Sequence, residues 1–491
     1  MEIKMEVYNY FCDLCKIPHG STCEKAISDY LADFAKKNQL EFVQDKWMNV
    51  LIRKPGSKGR ENEPPVILQA HMDMVCEKNE GVEHDFLKDP IIPVVEGDLV
   101  RAKGTTLGAD DGFGVALIMT ILAANNLSHP PVEALITVEE ELGCSGAVNF
   151  DVSLLKGKRF INLDGGDEDL FVVGCAGGAV IDIKIPVEYG NAAESCVSYK
   201  LMIKGLTGGH SGVDIDKGRG NANILMADLL NKLFDENIHL ADINGGSKMN
   251  AIPRECSAVI CFAESCLERI KLIVSQTEAL FKTRYPDDPD LIITLAKTNA
   301  AYTVIDRSSL RKMIDIMLKI PSGVLTLSPD MGSVNSDNAS GSWMRRERLV
   351  QTSSNPGIIT CGNGTLTLNN FLRSSNFADM ELVIEKMKLL AEHSGAAMNL
   401  TERFPTWEYK ADSPLRDKMI SVYRDMYGKD PVVAAVHGGL ECSVFAEKMP
   451  GADFAAAGGP NIIGAHSPDE QMSLSSLNRI YDFLVRVLKK L

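Results

Sequence analysis

Two hydrophobic rhythms divide this chain. Up to about residue 190, short apolar runs alternate with helical periodicities. Ser21 and Glu24 have the spacing of a capping box, and Ile27, Leu31 and Phe34 follow at helical intervals. Asn49 to Arg53 and Pro65 to Ala70 read as strands, the second almost continuously apolar and so suited to a sheet covered on both faces. Gly112 to Ala124 is apolar nearly all round, which predicts a buried helix. Val132 to Val138 and Arg159 to Leu163 are two more strands. Strands alternating with helices predict an α/β layered sheet.

From about 179 the rhythm changes. Ile181, Ile183 and Ile185 alternate with Asp182 and Lys184, and Val197, Tyr199, Leu201 and Ile203 repeat every second residue. Period-two runs predict a sheet with one face toward solvent. Helical patterns at Ala222–Phe234, Leu267–Phe281, Ser308–Leu318 and Met380–Ala391 sit between such strands. Leu415 to Tyr427, Asp453 to Ala457 and Ser473 to Leu491 then return to the first pattern as helix, strand and helix. The expected organisation is an α/β domain in two parts, 1–190 and 406–491, with an α+β module, 191–405, inserted between them.

Bulk properties narrow the function. The chain has 491 residues, 45% of them apolar and 24% charged, the profile of a globular protein with more than one core. No stretch approaches the ~20 apolar residues of a membrane span, and no secretion signal is visible at the N-terminus, so a cytoplasmic location is expected. A net charge of −15 without any Lys/Arg-rich block argues against nucleic acid and anionic membrane as partners. The twelve cysteines are scattered, as expected of free thiols in a reducing compartment, and Cys12 and Cys15 form a C-x-x-C with no second pair at zinc-ribbon spacing.

Candidate chemistry collects where strands should end. His71 closes an apolar strand and Asp73 follows two residues later, on the same face, placed to orient the imidazole. Asp110 and Asp111 lie between glycines just before the buried helix. Glu139, Glu140 and Glu141 close another strand, Asp164 follows a third, and His466 sits in a late loop. Singly, each suits a turn, a cap or a solvated edge. Jointly they would crowd acids at one sheet edge with no lysine nearby, and such a cluster repels itself unless cations occupy it. Two histidines with three carboxylates suit two zinc ions, although Mn²⁺ and Co²⁺ accept the same donors.

The order H-x-D, G-A-D-D-G, E-E-x-G, strand-end Asp and late His resembles the co-catalytic zinc peptidase family that includes carboxypeptidase G and aminoacylase. The strings LQAHMDMV, GTTLGADDGFG, VGCAGG, GGHSG, NAIPRE, HGGLEC and HSPDEQ resemble its aminoacyl-histidine (Xaa-His) dipeptidase branch. The resemblance implies a mixed-sheet α/β catalytic domain carrying an enlarged α+β lid. It implies hydrolysis of short peptides such as β-Ala-His. Alternatives are an N-acyl amino acid amidohydrolase, a tripeptidase, or a metal-binding homologue without catalysis.

Carried over residue by residue, the resemblance implies that Asp110 bridges two metal ions. His71 and Asp164 complete one site, Glu141 and His466 the other. Gly143 sets the register of the acid triplet, making Glu141 the ligand, Glu140 the general base and Glu139 an additional acid. In the lid, His210 of GGHSG is implied to reach the oxyanion, and Asn250 and Arg373 to hold the substrate carboxylate. Glu441 of HGGLEC is a candidate for the substrate's free amine. The Asp110–Asp111 peptide bond is expected to be cis. A homodimer through the lid would supply His210 in trans; alternatively, the enlarged lid presents it from the same chain.

Overall fold

The almost uninterrupted apolar strand Val66–His71 is buried along its whole length, because it lies inside a ten-stranded sheet. It runs parallel to Val132–Thr137 on one side and Arg159–Asn162 on the other, and Arg159–Asn162 runs parallel to Asp453–Ala456. The two parts of the chain therefore meet in the middle of one sheet. Val50–Lys54 and Glu41–Gln44 extend it antiparallel at one side. Leu170–Cys175 and Val432–Val436 extend it at the other, followed by the antiparallel pair Ser333–Asp337 and Ser342–Arg346. The computed structural model describes residues 5–299, 301, 303–328, 333–337, 342–346 and 349–491.

Helices cover this sheet as their patterns require. Lys25–Lys37 buries Ile27, Leu31 and Phe34, and Leu474–Lys490 buries Leu477, Ile480, Phe483, Leu484, Val487 and Leu488. The helix Ala109–Ala123 is buried on all sides, with regular geometry only from Gly112 onward. Phe113 in it is 1% exposed, and truncating so large a core side chain to alanine costs ~3–5 kcal/mol. No helix among the described residues is long and apolar enough to cross a membrane. All twelve cysteines are free, Cys12 and Cys15 falling in one helix, Met5–Cys15.

The chain divides into two compact units. One holds the elements up to Cys175, the strand pair 333–346 and everything from Thr406; the other holds Ala176 to Ser328 and Leu349 to Pro405. The second unit takes in Gly177–Pro186, because that strand pairs with Thr365–Ser374 and Ala397–Phe404. Its antiparallel sheet has eleven strands, and Ile181, Ile183 and Ile185 face the core while Lys184 is exposed. Four helices, Ala222–Leu233, Leu267–Arg284, Arg307–Lys319 and Phe377–His393, supply the other side of that core.

One local expectation fails. Glu24 takes the N-cap position of Lys25–Lys37 but makes no side-chain cap. The Ser21 hydroxyl donates instead to Asp73 Oδ2 at 2.8 Å, and Glu24 Oε1 accepts the Glu139 N–H at 3.1 Å. The site draws both residues away from the helix end they were predicted to cap.

Candidate metal centre and donor pair

The parallel strands of the first unit deliver their side chains at one edge. His71 is the last residue of its strand, Glu139 to Glu141 follow Thr137 by two to four positions, and Asp164 follows Asn162 by two. Ligand sites in open α/β sheets form outside such carboxyl ends.

Asp73 organises two of these segments. Its Oδ1 accepts the Glu140 N–H at 3.0 Å and lies 3.3 Å from His71 Nδ1; its Oδ2 accepts the Glu141 N–H at 3.3 Å. A buried carboxylate thus holds the acid turn and orients the imidazole, leaving Nε2 free to face the site. Asp111 does similar work, accepting the backbone N–H groups of His71 and Gly114 at 3.2 Å each. A Cβ on Gly114 would stand 2.4 Å from Asp111 Oδ1, so only glycine admits this fold-back. The Asp110–Asp111 peptide bond is cis, as the resemblance implied.

Asp110 lies between the two histidines. His71 Nε2 is 3.2 Å from its Oδ1 and His466 Nε2 is 3.1 Å from its Oδ2. His466 Nε2 is also 2.8 Å from Glu141 Oε1, an oxygen that is buried and lacks an aligned hydrogen bond. Potential ligand atoms of His71, Asp110 and Glu141 lie within 4.8 Å of one another. The close approach of His466 to Glu141 without an aligned hydrogen bond fits a shared cation, and among the described ion pairs no Lys or Arg reaches these carboxylates. The His/carboxylate donor set therefore fits divalent metal ions.

The electrostatics carry the same signature. Burial alone would raise the Asp110 pKa, but hydrogen bonds from His466 and His71 outweigh it and hold the group well below the carboxylate range. Burial, with Asp110 and Glu141 nearby, pushes Asp164 up to about 7. Burial, then Asp164, Glu441 and Glu141 against the opposing His71, lifts Glu140 well above its usual value. Burial opposes the charge on His466, yet Asp110 and Glu141 raise it to about 11.

Glu140 and Glu141 part company in the turn. Glu141 meets His466, whereas among the described residues the Glu140 carboxylate accepts a weak bond from the Cys144 thiol at 3.7 Å. Glu139, at a left-handed φ of 51°, turns its N–H to Glu24.

Behind the site lies a polar network for which the only local sign was a polar residue in an apolar strand. Gln69 and Thr137 donate to Glu441 Oε2 at 2.5 and 2.7 Å, and Asn162 donates to Gln69 at 2.7 Å. Glu441 is fully buried, its Oε1 has no partner, and burial pushes its pKa up to about 8.

The second unit assembles the remaining candidates. His210 pairs with Ala251 in the short ribbon Gly209–His210/Ala251–Ile252, and the exposed Asn250 accepts the Ser211 N–H through its carbonyl at 2.9 Å. Asn355, not foreseen as a site residue, pins that ribbon by donating to the Met249 and Ala251 carbonyls at 2.9 and 2.8 Å. His210 Nδ1 accepts two N–H groups, from Gly212 and Val213 at 3.2 and 3.1 Å. A neutral imidazole with an accepting Nδ1 carries its proton on Nε2.

That Nε2–H lies 3.4 Å from Arg373 Nη2. Two donors facing each other make no bond; they mark a place for an anionic or carbonyl oxygen. Arg373 is 8% exposed, stacked 4.3 Å over the Phe371 ring, with Nε unpartnered. Among the described residues no carboxylate pairs with it. Burial lowers its pKa to about 10, and burial together with Arg373 lowers His210 to about 4.

Known proteins resemble this chain over almost its whole length. The model of peptidase family M20/M25/M40 matches residues 67–490. The cytosol non-specific dipeptidase of Escherichia coli (strain K12) is 34% identical over 99% of this chain and 97% of its own. The crystal structure of aminoacylhistidine dipeptidase from Vibrio alginolyticus superposes with a TM-score of 0.88 at 32% identity, covering 100% of this chain and 98% of that one. The fold is also that of an aminopeptidase, PepT, of Bacillus cereus, with a TM-score of 0.58 at 16% identity over 99% and 98% of the two chains. With a matching family model across most of its length and full-length relatives above 30% identity, the chain belongs to peptidase family M20/M25/M40.

Proposed function

We propose that this chain is a cytoplasmic two-metal dipeptidase acting on Xaa-His and other short peptides. The observation that carries the reading is Asp110, whose two carboxylate oxygens each face a different imidazole, the arrangement a bridging ligand requires. His71 and Asp164 would hold one ion with Asp110, Glu141 and His466 the other. Zinc suits these donors, with Mn²⁺ or Co²⁺ as substitutes. When bound, such ions acidify a water and polarise a carbonyl oxygen.

The protein's own groups do the rest. Glu140, bound to no imidazole and raised in basicity by burial, takes the proton of the attacking water and passes it to the leaving amine. Asp73 keeps the His71 ring and the acid turn in register. His210 donates Nε2–H to the oxyanion, while Arg373 and Asn250 hold the substrate carboxylate, a role for which a buried guanidinium without a counter-ion is suited. Glu441 Oε1 is the acceptor assigned to a free α-amino group. Whether His210 serves its own chain or a lid-paired second copy is decided by subunit mixing, described below.

The test is a panel of dipeptides, β-Ala-His and its N-acetyl derivative among them, on metal-stripped protein reloaded with each cation. Free-amine dipeptides should be cleaved and acetylated ones refused. Preference for the acetylated form would replace the dipeptidase by an amidohydrolase, preference for tripeptides by a tripeptidase, and inactivity with every cation by a non-catalytic homologue.

A further inference from the structure

Glu470 is 2% exposed and meets no lysine, arginine or histidine among the described ion pairs. Its charge is met by four successive backbone donors. Oε2 accepts the N–H groups of Leu107 and Gly108 at 2.7 and 3.0 Å; Oε1 accepts those of Ala109 and Asp110 at 2.9 and 3.2 Å. Gly108 has φ 70°, a left-handed step that lets consecutive N–H groups converge on one anion. Gly108 precedes the irregular Ala109–Asp111 turn and has no side chain to offer its N–H groups. Glu470 supplies the missing acceptors from 360 residues away in the chain.

The connection is double. Glu470 lies four residues after His466, whose imidazole faces Asp110 Oδ2, while Glu470 grips the Asp110 backbone. Just beyond it, Gln471–Ser473 pairs with Leu99–Arg101, a few residues before the Asp110 turn. Two segments, each bearing one candidate ligand, are thus clamped at backbone level.

Resting on the reading of Asp110 and His466 as metal ligands, we propose that Glu470 is a positioning residue for the metal centre. It fixes the Leu107–Asp110 turn, and with it the aim of the Asp110 carboxylate relative to His466. It touches neither metal nor substrate.

The test uses full-length Glu470→Gln, Glu470→Ala and Asp110→Asn proteins, stripped and reloaded with Co²⁺. Chelator competition reads affinity, visible absorption reads ligand geometry, thermal unfolding of the metal-free forms reads stability, and kcat and KM are taken at saturating metal. Glu470→Gln keeps the shape but turns an NH₂ group on two backbone donors. It should weaken metal affinity by ~10–100-fold, as loss of an outer partner does, shift the cobalt absorption, and lower kcat with KM little changed. Glu470→Ala should move further in the same direction; if it fails to fold, the glutamine variant carries the test. Wild-type affinity, spectrum and kcat in Glu470→Gln, with only a lower unfolding temperature, would overturn the proposal. Retention of wild-type metal affinity by Asp110→Asn would instead show that the ligand reading itself is wrong.

Discussion

His466 and His210 carry the same side chain, and their surroundings drive it in opposite directions. Beside Asp110 and Glu141 the imidazole is raised to about 11; buried next to Arg373 it is lowered to about 4. The first region gathers carboxylates, and among the described ion pairs only histidines offset them. The second gathers donors, a neutral Nε2–H and a guanidinium, and among the described residues no carboxylate pairs with either, Asp214 accepting the His210 backbone N–H instead. Each is incomplete in its own sense: one calls for cations, the other for an anionic or carbonyl oxygen. A hydrolase of short peptides needs both poles, and this chain keeps them in separate compact units.

The contrast breaks most sharply at the acid triplet. Glu140→Gln should keep its metal and lose ~10²–10⁴-fold in kcat, as removal of a general base does. Glu141→Gln should instead lose metal in a chelator titration. Exchange of the two phenotypes would move the register by one residue.

At the donor pole, His210→Ala should cost ~10²–10³-fold in kcat, the scale of one lost oxyanion donor. Because His210 stays neutral above about pH 4, the ratio of wild-type to variant kcat should be flat from pH 5 to 8. A ratio that follows a titration in that window would contradict the neutral-donor role. Mixing inactive His210→Ala with inactive Glu140→Gln protein decides where the group acts. Recovered activity after subunit exchange requires action in trans; none despite proven exchange places it in cis.

A gentler probe concerns protons. In the metal-free protein His466 and His71 are raised and so protonated at neutral pH. A cation must displace those protons, so metal affinity should rise with pH through the neutral range and calorimetry in different buffers should report proton release. Affinity independent of pH would mean that the histidines are not ligands. The smallest effect is expected of Ser21→Ala, which removes one bond to Asp73, worth ~1 kcal/mol, and should lower kcat modestly without loss of metal. A loss of metal in Ser21→Ala as large as in Glu141→Gln would mean that this hydroxyl is essential to the turn.

Much of this was legible because strand ends announce themselves. VILQAH is apolar until its last residue, and a buried strand that closes on His71 must present it at the sheet edge. The period-two isoleucines of Gly177–Pro186 likewise disclosed a one-sided sheet. What stayed hidden depends on partners far along the chain. Ser21 and Glu24 have capping-box spacing, and nothing local shows that residues 52 and 115 positions away compete for them. Glu470 reads as one more acid in a loop until four backbone donors converge on it. The strands Ser333–Asp337 and Ser342–Arg346 are too polar to alternate, so their place in the first sheet left no periodic trace.

The strand Asp453–Ala456, lodged in the middle of the first sheet, gives the molecule a history. It pairs with Arg159–Asn162, nearly three hundred residues earlier, and His466 follows it. A chain emerging from the ribosome can close its second sheet once Phe404 is out, while the first sheet still waits with Arg159–Asn162 bare on one side. Such long-range closure is slow and leaves a strand edge open to wrong partners. A nascent chain halted before residue 453 would be inactive and prone to edge-to-edge aggregation. The candidate metal centre therefore cannot form until Asp453–Ala456 and His466 have been made, well after both sides of the second sheet.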